Sequence, residues 1–149
     1  MDKSQLPLEI LLIDDSQDDL DLEHRAFTTC KVVNDVTRMK GGAEAVAFLR
    51  EAKGKRPRRF LIFLDLVMQP DDGLSVLRRI REEKLAERSL VVMLSGLTDI
   101  KLLNDGYQLG AHTFLVKPLK VQDVMELLSA LRHSVAVVEE AGGNRLVWV

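Results

Sequence analysis

Asp14 and Asp15, then Asp65, Ser95 and Lys117, are the residues of this 149-residue chain whose types and order can do chemistry together. A hard divalent cation such as Mg²⁺ (or Mn²⁺) takes oxygen ligands, typically a few carboxylates completed by water and phosphate oxygens. Asp15 and Asp65 can supply two of them, and Asp14 can hold a metal-bound water. A carboxylate beside such a cation keeps one oxygen free to attack a phosphoryl donor, which leaves an acyl phosphate on the aspartate. The transferred group spreads its charge over equatorial oxygens, so catalysis is mostly positioning and neutralisation. Lys117 can meet one of those oxygens as a point charge, the Ser95 hydroxyl a second, and the cation a third. Pro118 stiffens the loop that carries the lysine, and Gly96 makes a turn with Ser95.

These groups make a site only if a hundred residues of chain bring them together, and the flanking sequence supplies the means. Asp14-Asp15 follow Leu8-Glu9-Ile10-Leu11-Leu12-Ile13, and Asp65 follows Phe60-Leu61-Ile62-Phe63-Leu64. Ser95 follows Leu90-Val91-Val92-Met93-Leu94, and Lys117-Pro118 follow Phe114-Leu115-Val116. Runs this dense in apolar residues predict strands buried on both faces. Val32, Val33 and Val36 predict a weaker, edge strand.

Helical periodicities lie between the strands. Ser16 can cap a helix with Asp18 and Asp19 in its first turn and Leu20 and Phe27 on one face, an arrangement the helix dipole favours. A small-residue helix over 43–49 follows Gly41-Gly42, and Gly73 opens one bearing Leu74, Leu77 and Ile80. Thr98 can cap a helix carrying Ile100, Leu103 and Tyr107, with Gly110 to end it. Val121, Val124, Met125, Leu128 and Leu131 predict a last helix running to about residue 138.

Five strands alternating with five helices predict an α/β fold with a parallel sheet covered on both faces. In such sheets the carboxyl ends of the strands share one edge, where ligands bind. Singly, each polar group has a structural reading: acids before a helix, an aspartate in a turn, a Ser-Gly turn, a Lys-Pro after a strand. Their joint order makes the site.

Composition narrows the classes of function. One domain with a real core fits 149 residues. A net charge of −2 argues against bulk attraction to nucleic acid or membrane. The apolar runs are strand-length, too short to span a bilayer, and residues 1–7 are too polar for a signal peptide. The single cysteine, Cys30, predicts no disulfide and packing at a helix end, in a reducing, cytoplasmic setting. His24, His112 and His133 show no ligand spacing and read as structural or surface residues.

Leu11-Leu12-Ile13-Asp14-Asp15-Ser16, Phe63-Leu64-Asp65-Leu66-Val67-Met68 with Gly73 eight residues past the aspartate, Val92-Met93-Leu94-Ser95-Gly96, and Gly110-Ala111-His112-Thr113-Phe114-Leu115-Val116-Lys117-Pro118 resemble a known set. Ser95 lies 30 residues beyond Asp65, and Lys117 a further 22. With these motifs the chain resembles a response-regulator receiver domain of two-component signalling, over about residues 8–138. The resemblance implies a flavodoxin-like, doubly wound (βα)5 fold with strand order 2-1-3-4-5, a receiver domain over 1–140 and a C-terminal tail over 141–149. It implies Asp65 as phosphoacceptor and a Mg²⁺ site of Asp14, Asp15, Asp65 and the Val67 backbone carbonyl. Ser95 would be the switch hydroxyl, Phe114 the switch aromatic and Lys117 the phosphoryl-binding lysine.

The function implied is a single-domain regulator, not an enzyme in the ordinary sense. It would accept a phosphoryl group from a sensor histidine kinase or histidine phosphotransfer protein. It would signal to a downstream protein through the helix near Thr98, the strand at Phe114 and the last helix, a face also suited to a homodimer. No DNA-binding module fits after residue 138.

Some positions depart from the family pattern. Gln69 stands four residues after Asp65, where a proline is usual, and Pro70 follows. The basic stretch over 53–59 reads as a solvated insertion, with an acidic partner as the alternative. An aspartyl-nucleophile phosphatase on a related sheet would want a second acid two residues past Asp65, where Val67 stands. A receiver-like module that is never phosphorylated is the other rival.

Overall fold

The computed structural model describes residues 7–96 and 99–149. Strands β1 (Leu8–Ile13), β2 (Val36–Met39), β3 (Arg59–Asp65), β4 (Leu90–Ser95) and β5 (Thr113–Val116) form one sheet. Its order is β2-β1-β3-β4-β5 and every pairing is parallel. Helices α1 (Gln17–Thr29), α2 (Gly42–Lys53), α3 (Gly73–Glu82), α4 (Ile100–Gln108) and α5 (Val121–Ala130) alternate with the strands. This is the flavodoxin-like topology that the sequence predicts.

Strand side chains alternate between two cores. Leu11, Ile13, Ile62, Leu64, Val91 and Met93 face a cluster built with α2, α3 and α4. Their neighbours Ile10, Leu12, Leu61, Phe63, Val92 and Leu94 face α1 and α5. Since both faces are covered, every residue of β4 is buried, which is why these strands read as unbroken apolar runs. Edge strand β2 is mostly half-buried.

Register sets the site. Ile13 pairs with Leu64, Asp65 with Leu94 and Ser95 with Val116. Asp65 and Ser95 are thus the last residues of central strands, and Asp14 and Lys117 the first residues past theirs. Gly73, the first residue of α3, donates its N–H to the Leu66 carbonyl at 3.0 Å. A Cβ there would collide with the Asp65 carbonyl oxygen and Leu66 Cα, so only glycine lets α3 start against the Asp65 backbone.

Three expectations are corrected by the structure. The weak edge strand is Val36–Met39, while Val32 and Val33 lie outside it and join Asn144 instead. The last helix stops at Ala130, not near residue 138. Its buried face is Val124 and Leu127, with Met125 turned outward. Val135–Glu140 (β6) and Gly143–Trp148 (β7) form an antiparallel hairpin, so the segment read as a tail holds a strand. β-branched Val135, Val137 and Val138 are compatible with extended backbone and Ala141-Gly142 can turn the chain back, but it is the docking of Trp148 and Asn34 that selects the hairpin over a longer helix.

The hairpin is anchored at the amino end of the sheet. Asn34 Nδ2 donates to the Leu8 and Leu146 carbonyls at 2.8 Å each, and its Oδ1 accepts from Leu146 N–H at 2.7 Å. Trp148 is buried in the α1–α5 core, and the Arg59 guanidinium lies 4.0 Å over its ring. Gly143 lies so close to the Lys31 carbonyl that a Cβ would strike it. Thr98 falls outside the described residues. The cap seen on α4 is Asp99, which accepts from the Lys101 and Leu102 N–H groups.

Candidate functional site

The strand ends converge. One carboxylate oxygen each from Asp14, Asp15 and Asp65 lies within 4.8 Å of the others. Asp14 and Asp65 are buried, whereas Asp15 is exposed, so the cluster has a solvent-facing side. Lys117 Nζ lies 2.6 Å from Asp14 Oδ2, 2.8 Å from Asp19 Oδ2 and 3.1 Å from Asp65 Oδ2. The Lys117–Pro118 peptide is cis.

Backbone donors orient the acids. Asp14 Oδ1 accepts from the Ser16 N–H, and Asp65 Oδ1 from the Val67 N–H, each at 3.0 Å. Asp15 Oδ2 accepts from the Gln69 N–H at 3.0 Å, tying the loop after β3 to the loop after β1. Gln69, where a proline is usual, thus supplies an N–H that proline lacks. Ser16 caps α1 as expected, accepting from the Asp19 N–H. Ser95 is fully buried at the end of β4, Phe114 is half-buried against the α2–α4 core, and Val67, Gly96 and Pro118 are exposed.

The electrostatics show a shortage of positive charge. Burial pushes Asp65 up to about 6. The Val67 N–H and Lys117 oppose the rise, and Asp14 adds to it. Burial works against the Lys117 ammonium too, but Asp14, Asp19 and Asp65 outweigh it and hold its pKa above the ordinary value. One lysine therefore serves three carboxylates, and Asp15 is a fourth acid beside them with no cation of its own among the described residues. The set is all hard oxygen, close enough to share a cation and open on the Asp15 side. These residues fit a Mg²⁺ or Mn²⁺ ion.

Residues 10–129 match the family model described as the response regulator receiver domain. The chain belongs to the response regulator receiver family. A receiver of this kind is a phosphoacceptor of two-component signalling, not an enzyme in the ordinary sense, and the family implies a histidine kinase as partner. This receiver is similar to response regulator Rcp1 of Synechocystis sp., at 29% identity over 87% of the chain and 90% of that protein. Among solved structures it is similar to the bacteriophytochrome response regulator RtBRR (28% identity, TM-score 0.76, covering 93% of this chain and 87% of that one). It is also similar to a chain of the CheX–CheY–BeF3–Mg²⁺ complex from Borrelia burgdorferi (28% identity, TM-score 0.70, covering 85% and 90%).

Two residues of the receiver's site escape the sequence reading. Asp19, read there as a dipole-favouring residue, binds Lys117. Glu23 is 2% exposed, and neither of its carboxyl oxygens has a hydrogen-bond partner among the described residues. Burial, then the charge of Asp14, pushes its pKa up to about 9, so it is protonated at neutral pH. The missed signal is spacing: Asp19 and Glu23 stand four residues apart on one face of α1, and Asp15 lies four residues before Asp19, ahead of the helix. The three histidines stay out of the site. His112 Nδ1 accepts from the Val91 N–H at 3.2 Å, a structural role. Cys30 caps the carboxyl end of α1. No helix among the described residues is long and apolar enough to cross a membrane.

Proposed function

We propose that this receiver takes a phosphoryl group onto Asp65 from a sensor histidine kinase or a histidine phosphotransfer protein, with Mg²⁺ held by Asp14, Asp15, Asp65 and the Val67 carbonyl. The supporting observation is the gathering of three carboxylates within 4.8 Å beside Lys117, itself 3.1 Å from Asp65. When bound, Mg²⁺ supplies charge neutralisation for the acids and for the phosphoryl oxygens.

An ionised Asp65 oxygen attacks phosphorus as the P–N bond of the phosphohistidine breaks, and the electron pair leaves with the imidazole. Asp65 is ionised at neutral pH even with its raised pKa. The Val67 N–H fixes the carboxylate plane by holding Oδ1. Lys117 moves from Asp14 and Asp19 to a phosphoryl oxygen, and Ser95 hydrogen-bonds another.

Phe114 then turns toward the space Ser95 leaves, and the α4-β5-α5 face changes shape. Exposed Ile100, Tyr107 and Val116 give that face an apolar surface for a downstream protein or a second copy of the chain. Val67 has no polar side chain to orient an attacking water, so the phosphoaspartate is long-lived, and Val67→Asn shortens its life. The lone free thiol suits a reducing cytoplasm.

Mass spectrometry after incubation with acetyl phosphate and Mg²⁺ tests the reading. One phosphoryl group appears on the wild type and none on Asp65→Asn. Incorporation that survives Asp65→Asn, or none in the wild type, refutes it. Beryllofluoride with Mg²⁺ should also move amide resonances across residues 95–118, and silence there removes the switch.

A further inference from the structure

At the amino end of the sheet, away from the acidic site, lies a second feature of opposite charge. A groove of about 400 Å³ runs between the 53–59 stretch and the loop after α3. Seven of the chain's 21 lysines and arginines line it. Its apolar lining comes from Leu49, Ala52, Pro57, Phe60 and Ala86, and Glu87 is the only acid among the described residues that line it.

Four of the seven cations are already engaged. Arg58 pairs with Glu9 at 2.6 Å and stacks over Phe48 and Phe60, both at 5.2 Å. Arg59 covers Trp148 and donates to the Arg88 carbonyl at 3.0 Å. Lys55 pairs with Glu51, and Lys53 donates to the Glu83 carbonyl. Arg56, Lys84 and Arg88 are exposed and make no ion pair among the described residues. The stretch is therefore not simply a solvated insertion. Its two inner arginines are half-buried and stapled down, and they hold the rim in which the unpaired cations stand.

We propose that this groove docks an acidic polypeptide segment of a partner protein, in which a few carboxylates flank an apolar side chain. The carboxylates meet Arg56, Lys84 and Arg88, and the apolar side chain fills the space beside Leu49, Ala52 and Ala86. Charge complementarity carries the choice, since three uncompensated cations stand out on a chain of net charge −2. A nucleic acid is a poorer fit. Single strands stack on exposed aromatic platforms, whereas Phe60 and Trp148 are buried and capped by guanidiniums.

The test is an amide-resonance titration of the full chain with a synthetic Glu/Leu peptide, repeated with its Glu→Gln counterpart and with a short DNA duplex. Saturable shifts confined to residues 49–60 and 84–88 are expected for the acidic peptide. Affinity should fall by about tenfold or more in the double variant Arg56→Glu/Arg88→Glu and should weaken with added salt, as for exposed charge pairs. The same variant should keep the wild-type response to beryllofluoride at Ser95 and Lys117, which shows that it folds. Equal binding by the double variant, equal binding of the Glu→Gln peptide, tighter binding of DNA, or no saturable shift in the groove each overturns the proposal.

Discussion

Asp65→Asn, the substitution that should abolish phosphoacceptance, should also make the metal-free protein more stable at neutral pH. Burial raises the Asp65 carboxyl from an ordinary 3.8 to about 6. Between those values the native state holds a proton that the unfolded chain has released, so native stability falls as pH rises through the window and is not regained above it. At about 1.4 kcal/mol per pH unit, the ionised carboxylate costs roughly 3 kcal/mol at pH 7.5.

Asparagine removes that charge and keeps an acceptor for the Val67 N–H, but it loses the contact to Lys117, which retains Asp14 and Asp19. The net gain should be about 1–3 kcal/mol, equivalent to roughly 3–10 °C in Tm for a domain of this size. Thermal and urea unfolding in a chelating buffer at pH 7.5 and pH 4 measure it. The gain should be present at the higher pH and nearly absent at the lower. A variant less stable than wild type at pH 7.5 without metal, or a gain that does not change with pH, would refute the reasoning.

Other perturbations probe the same architecture. Saturating Mg²⁺ should stabilise the wild type by about 2–3 kcal/mol at a hundredfold excess over Kd. Calorimetry should show most of that gain lost in Asp15→Asn. Lys117→Met leaves the fully buried Asp14 without its cation, and denaturant unfolding at pH 7 should report a loss of about 3–5 kcal/mol. Trp148→Ala empties a fully buried aromatic site beneath Arg59. It should cost about 3–5 kcal/mol in urea titration, where a loss under 1 kcal/mol would show that the hairpin only decorates the fold.

The alternation of five strands with five helices, the parallel sheet and the strand-end placement of Asp14, Asp65, Ser95 and Lys117 were all legible in the sequence. The reason is burial on two faces: strands such as Phe60-Leu61-Ile62-Phe63-Leu64 exclude polar residues, so the polar residue that ends each run marks a strand terminus. Tertiary structure alone decided three things. It made Asp19 a partner of Lys117 and Glu23 a buried acid, because a helix face acquires meaning only from what it packs against.

It turned residues 135–148 into a hairpin, because a short apolar run carries too little period to separate a last helical turn from a strand, and the docking of Trp148 and Asn34 settles the matter. It also converted the basic stretch into the wall of a groove, since only folding brings Arg58 to Glu9 and Arg59 to Trp148. Periodicity is written locally, within a few residues. Charge balance and side-chain burial depend on neighbours that lie tens of residues away along the chain.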